Sequence, residues 1–331
     1  MIKTQKFRVL VKVVVLAFLV GLAFNLFLYS SSSSDNGGQS FFSWSDGSLS
    51  RLMSMSSGDS KQQRFPKALI IGFSKCGTTA LRAFVSLHPD IVSPLEEVRF
   101  FTLNYTKGLE WYRQKMPPST PSQITIEKTP FYIMDREALE RIRKFNESIK
   151  LIISIRDPIA RLQSQYAHTF RNVKDSAERP SFKSWCQGDA FSEHVVRFID
   201  YATHIRSVYD LFPKSQVLVL SEEALENDPI SVMKDVEAFI GLRAYFSSYD
   251  FVFNEEKGFY CFNKTSPNYR SIINSVKLNP DTGCIGGEKG RAHPEIEEEF
   301  FQQLVRAIRP HNEGLFSLIG KRFEWDNFKD S

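Results

Sequence analysis

The feature that most constrains the fold of this chain is the stretch at residues 67–88, KALIIGFSKCGTTALRAFVSLH. Its ALII run at residues 68–71 is short, apolar and rich in β-branched residues, which predicts a buried strand. Small residues follow, and apolar residues then recur at helical spacing from Ala80 to His88. Because the first N–H groups of a helix have no partners within it and lie at the positive end of its dipole, this strand–turn–helix stretch predicts an anion-binding site.

The turn approaches the P-loop pattern GxxxxGK[ST] but departs from it. Gly72 and Gly77 have the required spacing, whereas Thr78 stands where the lysine should be and Lys75 lies inside the turn. Thr78 and Thr79 can donate hydroxyl hydrogen bonds to an anion, and Lys75 adds a formal charge. The pattern therefore favours a phosphate ligand other than a nucleoside triphosphate with magnesium. An ordinary tight strand–helix turn is the alternative.

Length and charge limit the possible partners. The 331 residues are enough for one large domain or two small ones, and a hydrophobic content of 42% with 29 Phe indicates a sizeable core. The net charge is +4, but residues 1–12 hold four basic residues and no acid, so the charges of residues 13–331 sum to zero. A site for an anionic ligand must therefore be a local cluster of charges, and we expect no nucleic-acid partner.

The N-terminal part of the chain predicts a membrane anchor. Residues 13–29 form an apolar run with one polar residue, Asn25, and the basic residues all precede it. This run is at the short end for a membrane helix, and its flanking charges place the N-terminus in the cytoplasm. We therefore predict a cytoplasmic tail at 1–12, a single-pass signal anchor at 13–29, a flexible luminal stem rich in Ser and Gly at 30–64, and a luminal domain at 65–331. A cleaved signal peptide is the alternative.

Other features are consistent with a secretory-pathway lumen. Three N-x-[ST] sequons predict glycosylation; they lie at Asn104, Asn146 and Asn263. The four cysteines, Cys76, Cys186, Cys261 and Cys284, do not have the spacing of a zinc site. In an oxidising compartment Cys261 and Cys284 could close a loop, whereas Cys76 lies in the turn and is predicted to be a free thiol that serves as a small residue.

From residue 66 onward, predicted strands and helices alternate. The strands are KALIIGF, QITIEK, KLIISIR and QVLVLS, and the helical stretches between and around them are residues 76–88, 135–146, 158–170 and 191–212. This alternation predicts a single α/β domain with a central parallel sheet flanked by helices. Ligands of such sheets bind at the carboxyl ends of the strands, so those ends are where functional side chains are expected.

Two segments carry candidate catalytic groups. In SPLEEVRFF, Glu96 and Glu97 are adjacent, so that on a strand only one of them could face a cleft, and Phe100 and Phe101 supply the apolar surroundings that suit a general base. In ITIEKTP, Lys128 ends a predicted strand, which is where a functional cation would be placed. The alternative interpretation of the acidic pair is a solvated surface patch.

A second anion site is predicted in LIISIRDPIARLQSQY. Arg156 ends a strongly apolar strand, and Asp157-Pro158 opens a helix, where proline is favoured in the first turn. Ser164 lies two turns along this helix. Arg156 through its charged guanidinium and Ser164 through its hydroxyl could together hold a second phosphate.

Two segments near the C-terminus bracket a long loop. Tyr260 in GFYC offers a ring face for a base, and Lys289, Gly290 and Arg291 in EKGRAHPE offer cations on a flexible backbone. A loop with both suits a nucleotide that carries an extra phosphate.

Several stretches, taken together and in order, resemble the Golgi heparan sulfate sulfotransferases, and most closely the heparan sulfate glucosamine 3-O-sulfotransferases. They are LIIGFSKCGTTAL, EEVRFF, GLEWYRQKMP, ITIEKTP, the IRDP run through Ser164, GFYC and KGRAHPE. The resemblance covers residues 66–325. It implies a P-loop nucleotide-kinase-like sulfotransferase fold, type II anchoring in the Golgi membrane, 3′-phosphoadenylyl sulfate (PAPS) as donor, heparan sulfate as acceptor and no required metal.

The resemblance also implies roles for individual residues. For the donor's 5′-phosphosulfate these are Lys75, Cys76, Gly77, Thr78 and Thr79. For the 3′-phosphate they are Arg156 and Ser164, and Tyr260 stacks on the adenine. The remaining donor contacts are Lys289, Gly290, Arg291, Ala292 and His293. Glu97 matches the general base, assisted by Lys75 and Lys128. Arg99 and Lys128 match acceptor contacts, and Cys261 and Cys284 match the family's disulfide pair.

The implied reaction is in-line transfer of a sulfuryl group to a sugar hydroxyl, with Glu97 taking the proton. The chain departs from the 3-O branch at three places: KCGTT replaces the usual KGGTR, Arg99 replaces a histidine, and Thr102 replaces an acid. A sulfotransferase acting on another position or another glycan is therefore an alternative. A P-loop kinase, which the position of the lysine disfavours, and a catalytically inactive polysaccharide-binding protein are alternatives of other classes.

Overall fold

The computed structural model describes residues 60–173, 178–187, 195–273, 276–286 and 293–328. Its strands are β1 (Gln62–Gln63), β2 (Ala68–Gly72), β3 (Ile91–Val92), β4 (Pro118–Ser119), β5 (Ile124–Lys128), β6 (Lys150–Ile155), β7 (Val217–Ser221), β8 (Phe251–Asn254) and β9 (Phe259–Phe262). Its α-helices are α1 (Thr78–Val85), α2 (Gly108–Gln114), α3 (Arg136–Phe145), α4 (Pro158–Thr169), α5 (Phe182–Gln187), α6 (Val196–Ile199), α7 (Tyr201–Tyr209), α8 (Glu222–Asn227), α9 (Pro229–Ile240), α10 (Tyr269–Ile272) and α11 (Glu298–Ile319).

The central element is a five-stranded parallel sheet in the order β3-β5-β2-β6-β7. Numbered along the chain, these strands are arranged 2-3-1-4-5, so the first of them lies in the middle. Its neighbours are β5, with Ile70 opposite Lys128, and β6, with Gly72 opposite Ile153. The predicted α/β domain with a parallel sheet flanked by helices is confirmed.

The two faces of the sheet support separate cores, because side chains alternate along each strand. Leu69 and Ile71 of β2 pack with α3, α7 and the end of α11 on one face. Ala68 and Ile70 pack with α1 and α9 on the other. All residues of β2 are buried, which explains why its sequence is a continuous apolar run and does not alternate between apolar and polar residues.

The four predicted strands and three of the four predicted helices are confirmed, with ends that shift by up to three residues. The predicted helix at 191–212 is wrong as a single element, since it is broken at Asp200 between α6 and α7. The Asp200 side chain accepts a hydrogen bond from the Thr203 N–H at 3.1 Å, so it caps a new helix instead of continuing the old one. Residues 191–194 lie outside the described residues.

The domain begins earlier than the sequence predicted. The predicted stem at 30–64 extends too far, because Gln62–Gln63 pair antiparallel with Pro118–Ser119. Backbone hydrogen bonds create this pairing, and a polar Gln-Gln pair gives no hydrophobic pattern by which to predict it. The predicted tail, the predicted anchor and residues 30–59 of the predicted stem lie outside the described residues. Within the described ranges, no helix is both long and apolar enough to cross a membrane.

Candidate active site

The carboxyl ends of four sheet strands bring the predicted polar groups to one edge. β5 ends at Lys128, β2 leads into the predicted anion turn, and β6 ends just before Arg156. β7 ends at Ser221 opposite Ile155, so Glu222 follows directly beside Arg156. Since parallel strands share one direction, these groups lie along one edge of the sheet on both sides of β2, where ligands of such sheets bind.

The anion loop (residues 73–77) joins β2 to α1 and requires glycine at its end. Gly77 has a left-handed φ of 65°, and a Cβ there would come within 2.9 Å of the Glu222 Cγ. Lys75 also has a left-handed φ, 67°, which is uncommon for a residue with a side chain. α1 begins at Thr78 with no side-chain cap and no acidic residue in its first turn. Its first N–H groups and dipole therefore favour an anion at this point.

Neighbouring elements hold the anion loop in place. The Ser154 hydroxyl donates to the Cys76 carbonyl at 2.6 Å, and the Arg161 Nε donates to the Ser74 carbonyl at 3.0 Å. Arg161 is fully buried, and its guanidinium lies 4.8 Å from the centroid of the Phe73 ring. These contacts fix carbonyl groups on the inner side of the loop.

Tyr201 connects the anion loop with the end of β6. Its hydroxyl lies 3.6 Å from the Cys76 thiol and donates to the Arg156 carbonyl at 2.8 Å. Burial raises the pKa of Cys76 to about 12, so the thiol is a neutral, small packing residue, as the sequence predicted. Cys186 is likewise buried and free.

Positive charge gathers beside the anion loop. The Arg156 Nε lies 3.3 Å from the Glu222 Oε2 in a pair that is mostly buried. Burial acts to lower the pKa of Arg156, but the charges of Glu222, Glu226, Cys76 and Glu223 together outweigh it, so the net shift is upward. Partial burial lowers the pKa of His293, and the charges of Arg156 and Lys75 lower it further. Lys75, Arg156 and His293 therefore belong to one electrostatic site.

The second cluster lies at the base segment (residues 97–100). The Glu97 carboxylate is bound through both oxygens: Lys128 Nζ lies 2.7 Å from Oε1, and Arg99 Nη2 lies 3.2 Å from Oε2. The Lys128 side chain is 7% exposed, whereas that of Arg99 is 49% exposed. Glu96 points away to Lys277, at 3.3 Å on the surface. Residues 93–99 are irregular rather than a strand, and of the two adjacent acids only Glu97 pairs with Lys128 at the strand end.

The comparisons with known proteins agree with this geometry. A family profile described as "Sulfotransferase domain" matches residues 65–312. The chain belongs to the sulfotransferase family. It is 37% identical over 278 residues to mouse heparan sulfate glucosamine 3-O-sulfotransferase 3A1, covering 81% of this chain and 66% of that protein, just under two thirds. It is 37% identical over 289 residues to the mouse 3B1 protein, covering 84% and 69% respectively. The resemblance stated above is confirmed.

A solved structure supports the fold. The sulfotransferase from Alicyclobacillus acidocaldarius superposes with a TM-score of 0.57 at 20% identity, covering 78% of this chain and 98% of that one. At this identity the likeness concerns the fold alone. It places the five-stranded sheet and its flanking helices within the sulfotransferase fold.

The other predicted donor residues are distributed around the same edge. Thr78 is buried and Thr79 is exposed at the start of α1, and Ser164 is partly buried on α4. Tyr260 lies on β9, where its ring contacts that of Phe253 edge-on at 5.3 Å. The loop residues Lys289, Gly290, Arg291 and Ala292 lie outside the described residues, so their roles stay predictions.

The remaining site predictions concern covalent features and metals. The structure joins Cys261 and Cys284 in a disulfide with a Cα–Cα distance of 4.4 Å. Asn104 donates through Nδ2 to the Val98 carbonyl at 2.9 Å, and Asn263 donates to the Tyr249 carbonyl at 2.9 Å. Asn146 caps the end of α3. Glycosylation of these three residues stays a prediction. Across the described ranges, His, Cys, Asp and Glu form no group placed to hold a metal ion.

Sequence reasoning missed several residues that shape the site. Glu222 follows the predicted strand QVLVLS directly, so a search of that strand end would have found it. Tyr201 and Arg161 could not be found in this way, because they lie within helices and no strand end or motif marks them in the sequence. Glu127 lies within a predicted strand next to Lys128 and is fully buried. Burial raises its pKa to about 7, even though hydrogen bonds from Thr129 and Val98 act in the opposite direction.

Proposed function

We propose that this protein transfers a sulfuryl group from PAPS to the 3-hydroxyl of glucosamine residues in heparan sulfate. The observation that carries the proposal is the Glu97–Lys128 pair, because Lys128 ends the strand next to the one that leads into the anion loop, in a chain with the sequence similarity reported above. A carboxylate next to an anion site suits transfer of an anionic group to a hydroxyl.

The donor side fits a ligand with two anionic groups. The anion loop and the start of α1 offer backbone N–H groups to one of them, with Lys75 in the loop. Arg156 and Ser164 offer a guanidinium and a hydroxyl to the other. Glycine at position 77 keeps the loop in this conformation, since a side chain there would collide with Glu222. When bound, PAPS would supply the activated sulfuryl group.

The acceptor side fits activation of an alcohol. Glu97 is 22% exposed, so its carboxylate is accessible while both oxygens are oriented by cations. We propose that Glu97 accepts the proton of the attacking sugar hydroxyl. Lys128 orients Glu97, and with Lys75 it stabilises negative charge that develops on the leaving phosphate oxygen. Arg99, half exposed at the same place, is available to an anionic saccharide.

We also propose a location in the Golgi membrane, with the catalytic domain in the lumen. Its support is the apolar run at 13–29 behind a basic N-terminus, together with the sequons. The Cys261–Cys284 disulfide is consistent with an oxidising compartment.

The direct test is incubation of residues 60–331 with sulfur-labelled PAPS and a panel of defined heparan oligosaccharides. We expect label in the oligosaccharide, and disaccharide analysis should place it at the 3-O position of glucosamine. Label at an N- or 6-O position would show that the protein is a sulfotransferase but that the proposed 3-O position is wrong. Donor binding without transfer to any glycan would instead support a polysaccharide-binding protein.

A further inference from the structure

Behind Glu97, side chains that follow one another on and after β5 hold three successive backbone N–H groups of the base segment. Each N–H has its own acceptor: Val98 donates to the Glu127 Oε1 at 3.4 Å, Arg99 to the Thr129 Oγ1 at 3.2 Å, and Phe100 to the Tyr132 Oη at 2.8 Å. We call Glu127, Thr129 and Tyr132 the amide clamp. Because each of three successive N–H groups has its own side-chain acceptor, the clamp fixes the backbone conformation of the base segment.

The clamp is buried and internally hydrogen-bonded. Its three side chains are fully buried, and the Thr129 hydroxyl donates to the Glu127 Oε1 at 2.6 Å while it accepts from the Arg99 N–H. The Thr129 N–H donates to the Ile70 carbonyl of β2 at 3.1 Å. Because β2 leads directly into the anion loop, the clamp relates the position of the base segment to that of the loop.

The base segment needs such support. Arg99 has a left-handed φ of 52°, a conformation that residues with side chains adopt at a cost and that persists only where the surroundings impose it. A general base must lie within hydrogen-bond reach of the proton it accepts, and a displacement of about 1 Å can reduce a rate about 100-fold.

We infer that Thr129 is a positioning residue for the reaction: it joins Glu127 to the Arg99 N–H and thereby holds Glu97 against Lys128. The inference rests on the proposed role of Glu97 as the base. In this scheme Thr129 contacts neither donor nor acceptor. It therefore affects kcat, through the position of the base segment, and does not affect the Kd of the donor.

The chain offers a matched control for a test. Thr125 lies on β5, four residues before Thr129, and is buried to nearly the same degree, and its hydroxyl has no hydrogen-bond partner among the described residues. In the full-length protein, Thr129→Val should lower kcat about 10- to 100-fold, whereas Thr125→Val should change it by no more than about twofold. The Kd for adenosine 3′,5′-bisphosphate should stay unchanged in both, and Thr129→Ser should restore most of kcat. Equal kcat values for the two valine variants would overturn the inference.

A second arm tests the other end of the clamp. Tyr132→Phe removes the acceptor of the Phe100 N–H, and we expect a lower kcat with an unchanged donor Kd. Unchanged kcat in both Tyr132→Phe and Thr129→Val would exclude a positioning role for the clamp.

Amide hydrogen exchange separates failure of the inference from failure of the proposed function. If the wild-type protein transfers no sulfuryl group, the proposed function is wrong. Amide exchange at residues 98–100 then still tests whether the clamp holds the base segment. Faster exchange there in Thr129→Val than in Thr125→Val supports the clamp, and equal exchange overturns it.

Discussion

The anion loop and the base segment both hold a left-handed residue in place, but they do so with different side chains. Each contains one residue with a side chain in the left-handed region, Lys75 in the loop and Arg99 in the segment. The loop is held partly by Tyr201 and the Cys76 thiol, and burial raises the pKa of both groups far above neutrality. The base segment instead depends on Glu127, whose pKa is about 7. Tyr201 and Cys76 therefore keep their protons near neutrality, whereas the base segment is held by a buried group that titrates there.

The largest expected effect tests the acceptor side. Glu97→Gln keeps the shape of the side chain but removes the base, so kcat should fall about 1,000-fold while the donor Kd stays the same. Measurement of transfer rates and of donor binding checks this, with Glu96→Gln on the surface as the matched control. Retention of full activity by Glu97→Gln would show that another group takes the proton.

The next effect concerns the stability of the acceptor side. Since folding raises the pKa of Glu127 from 4.5 to about 7, the folded protein keeps a proton that the unfolded chain releases between these values. The free energy of unfolding should therefore fall as the pH rises through this window, by about 3 kcal/mol from this group. The charged or titratable groups around Glu127 are Lys128, Tyr112 and Tyr132, and of these Tyr132 through a hydrogen bond and Lys128 through its charge act to lower its pKa.

Glu127→Gln should remove this dependence. Its amide oxygen can still accept from Thr129 and Val98, so kcat should stay within about threefold. Denaturant unfolding at about pH 5 and about pH 8 should show a smaller difference for the variant than for the wild type. An equal difference in both proteins would mean that Glu127 keeps one protonation state in this range.

A smaller effect tests the anion loop. Gly77→Ala forces a side chain onto a left-handed residue and against Glu222, so we expect donor affinity to fall about 10- to 30-fold. Gly314→Ala is the control, because this glycine of α11 has open space around its Cα and alanine favours a helix. Isothermal titration with adenosine 3′,5′-bisphosphate measures both. Equal affinities would argue that the loop does not bind the donor.

The smallest effect is an expected lack of change. Cys76 is buried and its pKa is raised to about 12, so iodoacetamide at neutral pH should neither modify it nor reduce activity. Mass spectrometry of native and unfolded protein distinguishes the cases, since the unfolded chain should take label at both Cys76 and Cys186. Rapid labelling of native Cys76 would show that the anion loop opens.

The sequence alone determined the four main strands of the central sheet and the polar residues that follow them. Short apolar runs bounded by small residues specify β2, β5, β6 and β7 locally, because burial on both faces demands continuous apolar residues. The same local signals place Lys128 and Arg156 at strand ends and Lys75 in the turn after β2, and Asp157 caps α4 as its position before Pro158 predicts.

Only the tertiary structure decided which side chains meet. The contact of Glu97 with Lys128 joins residues 31 positions apart, and that of Cys76 with Tyr201 joins residues 125 apart. Sequence could not choose between Glu96 and Glu97, or give the strand order that puts β2 in the middle. Such contacts depend on how separate segments pack, and local propensity carries no information about partners that distant. The amide clamp also depends on tertiary structure, since its three side chains meet the N–H groups of residues 98–100 only when the base segment packs against β5 and the residues after it.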